Sequence, residues 1–297
     1  MLYDENVLLS VENHLSDMKK GIFNCLAIII VLLSSQLSFA ATVDTVLTHS
    51  NVMNKDIKAV VVKPQNYEAS SKRFPVLYLL HGAGGKYSDW LLNTKDKEAV
   101  KKLADNFGMM VVCPDGGVTS WYFDSPVDPS YQYETYFSKE LVEFVDRKYR
   151  SISDRNGRAI TGLSMGGHGG LYLAFRHQDV YGACGSMSGG VDIRPFPENW
   201  NIAKRLGPYN QFPERWEANT VINLTHLLSP NKLAIIFDVG RNDFFYDVNV
   251  ALHDKLTARN IPHDFTVRPG IHNFEYWENA VAYQMMYFSK FFNKNNN

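Results

Sequence analysis

One short stretch carries the residues best suited to nucleophilic chemistry. It is the run Gly162-Leu163-Ser164-Met165-Gly166, which follows an apolar segment and leads into small residues typical of a closely packed helix. A Gly-x-Ser-x-Gly run between a strand and a helix is typical of a nucleophile elbow, whose sharp turn lifts the serine hydroxyl clear of the sheet. Because this pattern also occurs by chance, the predicted strand and helix around it carry much of the inference.

A nucleophilic serine needs a base to take its proton and a third group to orient that base. Asp243 follows the predicted strand Leu233 to Val239, and His272 follows the predicted strand His263 to Arg268. The carboxyl ends of parallel strands share one edge of a sheet, so both side chains are expected on the same side as Ser164. Their order along the chain also fits a serine, acid, histidine triad. We predict Ser164 as nucleophile, Asp243 as acid and His272 as base.

Other ionisable residues compete for these roles. Asp238 lies inside an apolar run, where packing or a structural hydrogen bond is expected. His263 opens a strand, while His168 and His253 fall on predicted helices, so structural roles are expected for all three. His81 precedes a glycine-rich loop and is expected to hold the shape of that loop rather than to take a proton.

Two backbone amides near the elbow are suited to stabilising negative charge. The run His81-Gly82-Ala83-Gly84-Gly85 follows a predicted buried strand, and its glycines would let backbone N–H groups turn towards an oxyanion. The amide of Met165 opens the helix after the serine, where unpaired N–H groups and the helix dipole favour an anion. We predict the N–H groups of Ala83 and Met165 as the two oxyanion donors.

Composition narrows the class of protein. The chain has 297 residues, of which 45% are hydrophobic and 21% charged, with a formal net charge of −1. It therefore lacks the basic balance of a nucleic-acid-binding protein. Its histidines do not cluster at metal-ligand spacing, so no metal or other cofactor is predicted. Cys113 and Cys184 lie on separate predicted buried strands, which favours two free thiols over a disulfide.

The N-terminal region is predicted to be a targeting segment. Lys19-Lys20 precede the apolar run Ile22 to Leu33, and a small-x-small ending follows at residues 38–40. This pattern predicts a secretory signal peptide. The run is shorter than the roughly 20 residues that a membrane-spanning helix needs, so no stable membrane anchor is expected. We expect residues 1–40 to be an N-terminal extension and signal peptide, translation to start at Met18, and the mature protein to be secreted or periplasmic.

The chain from residue 41 to 297 is expected to form a single domain. Apolar runs typical of buried strands alternate with amphipathic segments, which predicts an α/β fold with a mainly parallel sheet and helices on both faces. Thr42 to Thr48 and Lys58 to Lys63 predict an opening antiparallel hairpin. The Pro-, Asn- and Trp-rich stretch Asp192 to Ser229 is expected to be an insertion over the active site. No sequence feature specifies an oligomeric state.

Several ordered motifs resemble those of the esterase D family of α/β-hydrolases. This family includes S-formylglutathione hydrolases, tributyrin esterases, feruloyl esterases and antigen 85 mycolyltransferases. The resemblance covers the chain from about residue 42 to its end and rests on four groups of residues, 79–82, 162–169, 238–244, and 261–265 with 270–277. It implies the α/β-hydrolase fold, the same triad and the same oxyanion donors. Ile271 departs from the pattern, since many relatives have a second glycine there, and is expected to alter pocket shape more than chemistry.

The motifs predict hydrolysis of a carboxylic ester through an acyl-serine intermediate. Trp121 and Tyr122 lie in a loop that flanks the active site in relatives, and together with Trp277 they are candidate substrate-binding residues. The aromatic residues of the insertion are suited either to stacking on a sugar or phenolic ring or to simple packing; these are Trp200, Tyr209 and Trp216.

With export, the expected substrates are short-chain acyl or feruloyl esters of carbohydrates or small alcohols, as free small molecules or oligosaccharides. The alternatives are an acyltransferase of the antigen 85 type and a thioesterase resembling S-formylglutathione hydrolase. A non-catalytic binding protein has less support because no triad member is missing.

Overall fold

The computed structural model describes residues 14–15, 18–20 and 40–295. Residues 40–295 belong to one compact unit. Most of the predicted signal peptide therefore lies outside the described residues. Within the described part of the chain, no helix is both long and apolar enough to cross a membrane.

The compact unit is built on one eight-stranded sheet with the order β1-β2-β4-β3-β5-β6-β7-β8. β1 and β2 form the predicted antiparallel hairpin, and β2 joins β4 in antiparallel fashion. All the pairings from β4 to β8 are parallel, which confirms the mainly parallel sheet. The strands are β1 Thr42–Ser50, β2 Lys55–Lys63, β3 Val76–Leu80, β4 Met110–Pro114, β5 Arg158–Gly162, β6 Ala183–Met187, β7 Ala234–Gly240 and β8 Asp264–Arg268.

Helices follow most of the parallel strands, and the closing helix is the longest of those described. They are α1 Asp89–Leu92, α2 Ala99–Phe107, α3 Tyr133–Thr135, α4 Leu141–Lys148, α5 Met165–Arg176, α6 Ile202–Leu206, α7 Pro213–Asn219, α8 Tyr246–Ala258 and α9 Phe274–Asn295. A π-helical turn, Tyr136–Glu140, joins α3 to α4, and 3₁₀ turns lie at Arg155–Gly157 and Val221–Leu227. The predicted insertion therefore contains two short helices and one 3₁₀ segment.

Both faces of the sheet are covered. Every residue of the central strands β3, β4, β5 and β6 is buried, as their continuous apolar runs predict for strands packed on both sides. Alternate side chains enter two separate cores: Tyr78 packs with residues of α4 and α5, while Leu77 and Leu79 pack with residues of α2 and α9. Cys113 and Cys184 are buried free thiols, as predicted.

A buried carboxylate ties α3 to α5 and the residue that follows it. Glu134 accepts hydrogen bonds from the Tyr172 hydroxyl at 2.6 Å and from Arg176 Nε at 2.7 Å, and its Oε1 lies 2.8 Å from His177 Nε2. Burial alone would raise the pKa of Glu134, but the hydrogen bonds from His177, Tyr172 and Arg176 lower that pKa to about 2. The ionised form is therefore the one that stabilises the fold.

We expect Glu134→Gln to lower the free energy of unfolding by about 2 kcal/mol near neutral pH, because charged hydrogen bonds are lost. The pKa of Glu134 in the folded protein lies below that of an unfolded glutamate, about 4.3. Its contribution is therefore present above the unfolded pKa and is lost as the pH falls towards the folded pKa. Denaturant unfolding at a series of pH values should show the difference between variant and wild type shrinking below about pH 4.

The matched control for this measurement is Glu143→Gln. Glu143 is mostly exposed, and within the described part of the chain its one ion pair is with Arg147 at 3.7 Å. Its replacement should therefore change the free energy of unfolding by less than about 0.5 kcal/mol. A Glu134→Gln effect that stays constant down to pH 3 would show that the loss has another cause.

Candidate active site

Ser164 lies at the sharp turn between β5 and α5. Its backbone has φ 55° and ψ −116°, a conformation that costs energy in a residue with a side chain. Close packing on either side holds the turn in place: a Cβ added at Gly162 would lie 2.7 Å from the Leu80 carbonyl oxygen, and one at Gly166 would lie 2.6 Å from the His81 carbonyl oxygen. Glycine is required at both positions, because the clashing atoms belong to the backbone of β3 and its following residue.

The structure brings Ser164, His272 and Asp243 into one hydrogen-bonded relay. His272 Nε2 lies 2.8 Å from Ser164 Oγ, and His272 Nδ1 lies 2.8 Å from Asp243 Oδ2. The Asp243 side chain has no exposed surface and that of His272 is 15% exposed. Since Asp243 Oδ1 also accepts a hydrogen bond from the Phe245 N–H at 2.8 Å, the carboxylate is held in a fixed orientation. The structure thus brings into contact the three residues that the sequence predicts as a triad.

The loops that carry Asp243 and His272 pack directly against each other. The Asn242 N–H donates to the Gly270 carbonyl at 3.0 Å. A Cβ at Gly240 would lie 2.6 Å from that same carbonyl oxygen, so the approach requires glycine. Gly270 itself has φ 148°, a conformation that favours glycine. The acid and the histidine are therefore set relative to each other by backbone contacts between the ends of β7 and β8.

Asp238, the competing acid, is used elsewhere. It is 1% exposed and accepts hydrogen bonds from the Tyr276 hydroxyl at 2.9 Å and from Gln284 Nε2 at 2.7 Å. Arg268 lies 3.4 Å away. Burial raises the pKa of Asp238 to about 6. The residue therefore joins β7 to α9 and does not contact the triad histidine.

The competing histidines also have structural partners. His168 Nδ1 lies 3.0 Å from the Gly190 carbonyl, and burial lowers the pKa of His168 to about 4. His253 and His263 contact each other at 2.8 Å, on the side of the sheet where β8 begins. His81 Nε2 accepts a hydrogen bond from the Gly116 N–H at 2.8 Å. That bond ties the glycine-rich loop to the loop after β4.

Two amides beside Ser164 have no hydrogen-bond partner among the described residues. Their neighbours are engaged: the Gly84 N–H donates to the Val118 carbonyl at 2.8 Å, and the Gly166 N–H donates to the Leu163 carbonyl at 2.7 Å. The N–H groups of Ala83 and Met165 make no such bond. Met165 is the first residue of α5, where free N–H groups are expected. These are the two N–H groups that the sequence predicts as oxyanion donors.

Ser164 opens onto a cleft of about 410 Å³. Aromatic side chains form much of one wall: Trp200 stacks on Phe244 with ring centroids 5.8 Å apart, and Phe244 lies 4.2 Å from the His272 ring. Trp277 meets the His272 ring edge-on at 4.9 Å. The cleft is lined by Gly82, Ala83, Gly84, Gly85, Asp89, Leu163, Ser164, Trp200, Phe244, His272, Phe274 and Trp277.

Two of the predicted substrate-binding residues lie below this cleft and do not line it. Trp121 is 1% exposed and Tyr122 is fully buried. The Trp121 ring packs behind Trp200 at 6.0 Å, and the Tyr122 hydroxyl donates to the His81 carbonyl at 2.8 Å. The prediction that these two residues contact the substrate is therefore wrong. They pack behind the residues that line the cleft. Trp277, the third candidate, does line the cleft.

Other lining residues were not identified as site residues from the sequence. Phe244 directly follows the predicted acid, which was the available signal for its position. From the sequence, Trp200 is suited equally to stacking on a substrate ring and to packing, because sequence spacing does not show where an irregular segment folds back. Within the described part of the chain, no group of three or more His, Cys, Asp or Glu residues is arranged to hold a metal ion.

Comparison with known proteins identifies one esterase family over most of the chain. The family model described as "Putative esterase" matches residues 50–287. An esterase of Mycobacterium tuberculosis is 33% identical over 137 residues, which cover 45% of this chain and 29% of that protein. An acetyl esterase of Caldicellulosiruptor saccharolyticus is 25% identical over 237 residues, covering 75% of this chain and 86% of the relative.

A comparison with solved structures also finds an esterase. The structure of a ferulic acid esterase superposes with a TM-score of 0.73 at 29% identity, covering 86% of this chain and 99% of that one. The chain spans less than a third of the length of the mycobacterial esterase. The family model matches more than half of this chain, and the sheet order and the turn at Ser164 are those of an α/β-hydrolase. The chain therefore belongs to the esterase family of α/β-hydrolases.

Proposed function

We propose that the protein hydrolyses carboxylic esters through an acyl-serine intermediate. The observation that carries this proposal is the unbroken relay from Ser164 Oγ through His272 to the buried Asp243 carboxylate, at the floor of an open cleft. A serine with its base in hydrogen-bond contact and its base held by a third group has the arrangement needed for nucleophilic catalysis.

In the proposed mechanism, each of these residues has one role. His272 Nε2 takes the Ser164 proton as Oγ attacks the ester carbonyl, and Asp243 holds the imidazole by Nδ1–H and stabilises the imidazolium. The N–H groups of Ala83 and Met165 donate to the developing oxyanion, each typically contributing about 3 kcal/mol. His272 then returns the proton to the leaving alcohol. Finally it activates the water that releases the acid from Ser164.

The cleft supports small or planar ester substrates. The stacked Trp200 and Phe244 rings offer a flat apolar face beside His272, suited to a phenolic ring or a sugar. Similarity to an acetyl esterase and to a ferulic acid esterase points the same way. We therefore infer short-chain acyl or feruloyl esters of carbohydrates or small alcohols as substrates. An acyl transfer reaction would use the same relay, with an alcohol in place of water.

We further propose that the protein is exported. The support is the sequence pattern alone: a basic pair at Lys19-Lys20, the apolar run from Ile22 to Leu33 and the small-x-small ending before Ala41. The sheet and both hydrophobic cores lie at or beyond Ala41, so removal of the leader would leave the catalytic unit whole.

The chain from Ala41 should hydrolyse p-nitrophenyl acetate and methyl ferulate, with p-nitrophenyl ester rates falling as the acyl chain lengthens. Ser164→Ala should lower kcat/KM by at least about 10³-fold, because the nucleophile is lost. The measurements are p-nitrophenol release and separation of ferulic acid, with thermal unfolding to show that the variant is folded. A folded wild type without turnover would contradict the proposal. Faster p-nitrophenol release on adding an alcohol, with a new ester as product, would indicate transfer.

Asp238 and Asp243, which are both buried, give a matched test of the acid. Asp243→Asn should lower kcat by about 10⁴-fold, because an amide cannot hold the imidazole in the same tautomer or stabilise the imidazolium. Asp238→Asn makes the same change inside β7, at a carboxylate that does not contact His272, and should lower kcat far less than Asp243→Asn does. Equal losses in the two variants would mean that the relay seen in the structure does not define the acid.

Export can be checked with the full chain expressed in a Gram-negative bacterium. The protein is expected in the periplasm or medium, with an N-terminus near Ala41 by mass spectrometry. Replacing residues 22–33 by a polar sequence should retain the protein in the cytoplasm. An N-terminus that begins at Met1 or Met18 in the exported protein would show that no signal peptide is cleaved.

A further inference from the structure

The outer edge of β8 is unpaired among the described residues. β8 is last in the sheet order and pairs only with β7. The Arg268 carbonyl faces the β7 side, since it accepts a hydrogen bond from the Arg241 N–H at 2.8 Å. Backbone groups alternate in direction along a strand, so those of Phe265 and Val267 face outwards. An edge with free N–H and C=O groups is a template for another strand.

The sequence of this edge is complementary to itself. If a second β8 runs antiparallel with the two-fold axis at Thr266, Asp264 of each copy lies opposite Arg268 of the other, and Phe265 lies opposite Val267. The outward backbone groups then form hydrogen-bonded pairs, with about four hydrogen bonds between the copies. Opposite charges and apolar pairs directly across strands are both favourable.

Arg268 is already held in place for such a pairing. Its guanidinium lies 3.4 Å from Asp238 and stacks over the Tyr283 ring at 4.3 Å. The side chain is 17% exposed, so part of it remains accessible from the outer side of the strand. Asp264 is exposed and has no hydrogen bond or ion pair from its side chain among the described residues.

Apolar surface beside the edge supplies area that a strand pair alone lacks. Val267 is 38% exposed, Tyr283 45% and Met286 41%. Tyr283 and Met286 come from α9, alongside β8, and line a depression of about 430 Å³ together with Phe265 and Thr266. A stable interface buries roughly 1,200–2,000 Å². In the two-fold arrangement the α9 side chains would meet those of the second copy and extend the contact beyond the strands.

We propose that the protein forms a homodimer in which the β8 strands of two copies pair antiparallel about Thr266, so that one sheet continues across both. The occupant of the edge is a second copy because its own residues provide the matching charges and apolar side chains. The relay and cleft lie within each copy, so the dimer does not depend on the proposed chemistry.

The first test measures the mass of the chain from Ala41 by light scattering and sedimentation over a range of concentrations. The wild type should be dimeric. Val267→Pro removes an outward N–H that β7 does not use, and Asp264→Lys places like charges opposite each other; each should raise the dimer dissociation constant at least about tenfold. The control is Asp56→Lys, an exposed residue on the opposite side of the sheet, which should not change the mass.

The register is tested by Thr266→Cys. The two-fold axis would place the two cysteines directly opposite, with Cα atoms about 4.5 Å apart and within disulfide range. The variant should therefore form a covalent dimer rapidly under mild oxidation, while the native thiols Cys113 and Cys184 are buried. Thr45→Cys, exposed on the other edge strand, is the matched control and should cross-link far more slowly.

Three results would overturn the proposal. They are a wild type that stays monomeric at all concentrations, a dimer that survives both edge substitutions in variants shown to be folded by thermal unfolding, and equal cross-linking of the two cysteine variants. The second result would place the interface elsewhere on the surface.

Discussion

The candidate site depends on one constraint, the close approach of backbone around Ser164. The serine occupies a backbone conformation that costs energy. Close packing between β3 and α5 holds the backbone of the turn in this conformation. Gly162 and Gly166 lie against the carbonyl groups of Leu80 and His81, at the end of β3. The same contact places the glycine-rich loop after β3 next to the start of α5. The free amides of Ala83 and Met165 are thus near the nucleophile as a consequence of how the turn packs.

A second set of backbone contacts positions the other half of the relay. Gly240 and Gly270 let the ends of β7 and β8 approach closely, and this sets the separation of Asp243 from His272. Asp238, buried within β7, accepts hydrogen bonds from Tyr276 and Gln284 and so holds α9 against the sheet. Because α9 begins directly after the His272 loop, a buried acid without a catalytic contact still fixes where the histidine lies.

The sequence was sufficient for the fold and the relay because both follow from local, short-range rules. Ser164, Asp243 and His272 each follow a predicted strand, and the sheet geometry brings the ends of parallel strands to one edge. The burial of Trp121 and Tyr122 does not follow from such rules. Gly169 and Gly190 leave space that these two rings fill, since a Cβ there would lie 2.3 Å from Tyr122 and 2.9 Å from Trp121. Contacts of that kind join distant segments, and no periodicity in the sequence indicates them.

The insertion completes the cleft through a series of aromatic contacts that begins at α5, the helix after Ser164. His168, in α5, packs edge-on against Trp121, and Trp121 packs behind Trp200, which faces Phe244 and through it the His272 ring. Trp200 also has φ 47°, so its backbone is strained where it enters the cleft. Each ring in this series is positioned by the one beneath it. The aromatic wall of the cleft therefore packs on α5, the helix that follows Ser164. The same helix thus positions both the predicted nucleophile and the side chains that shape the cleft.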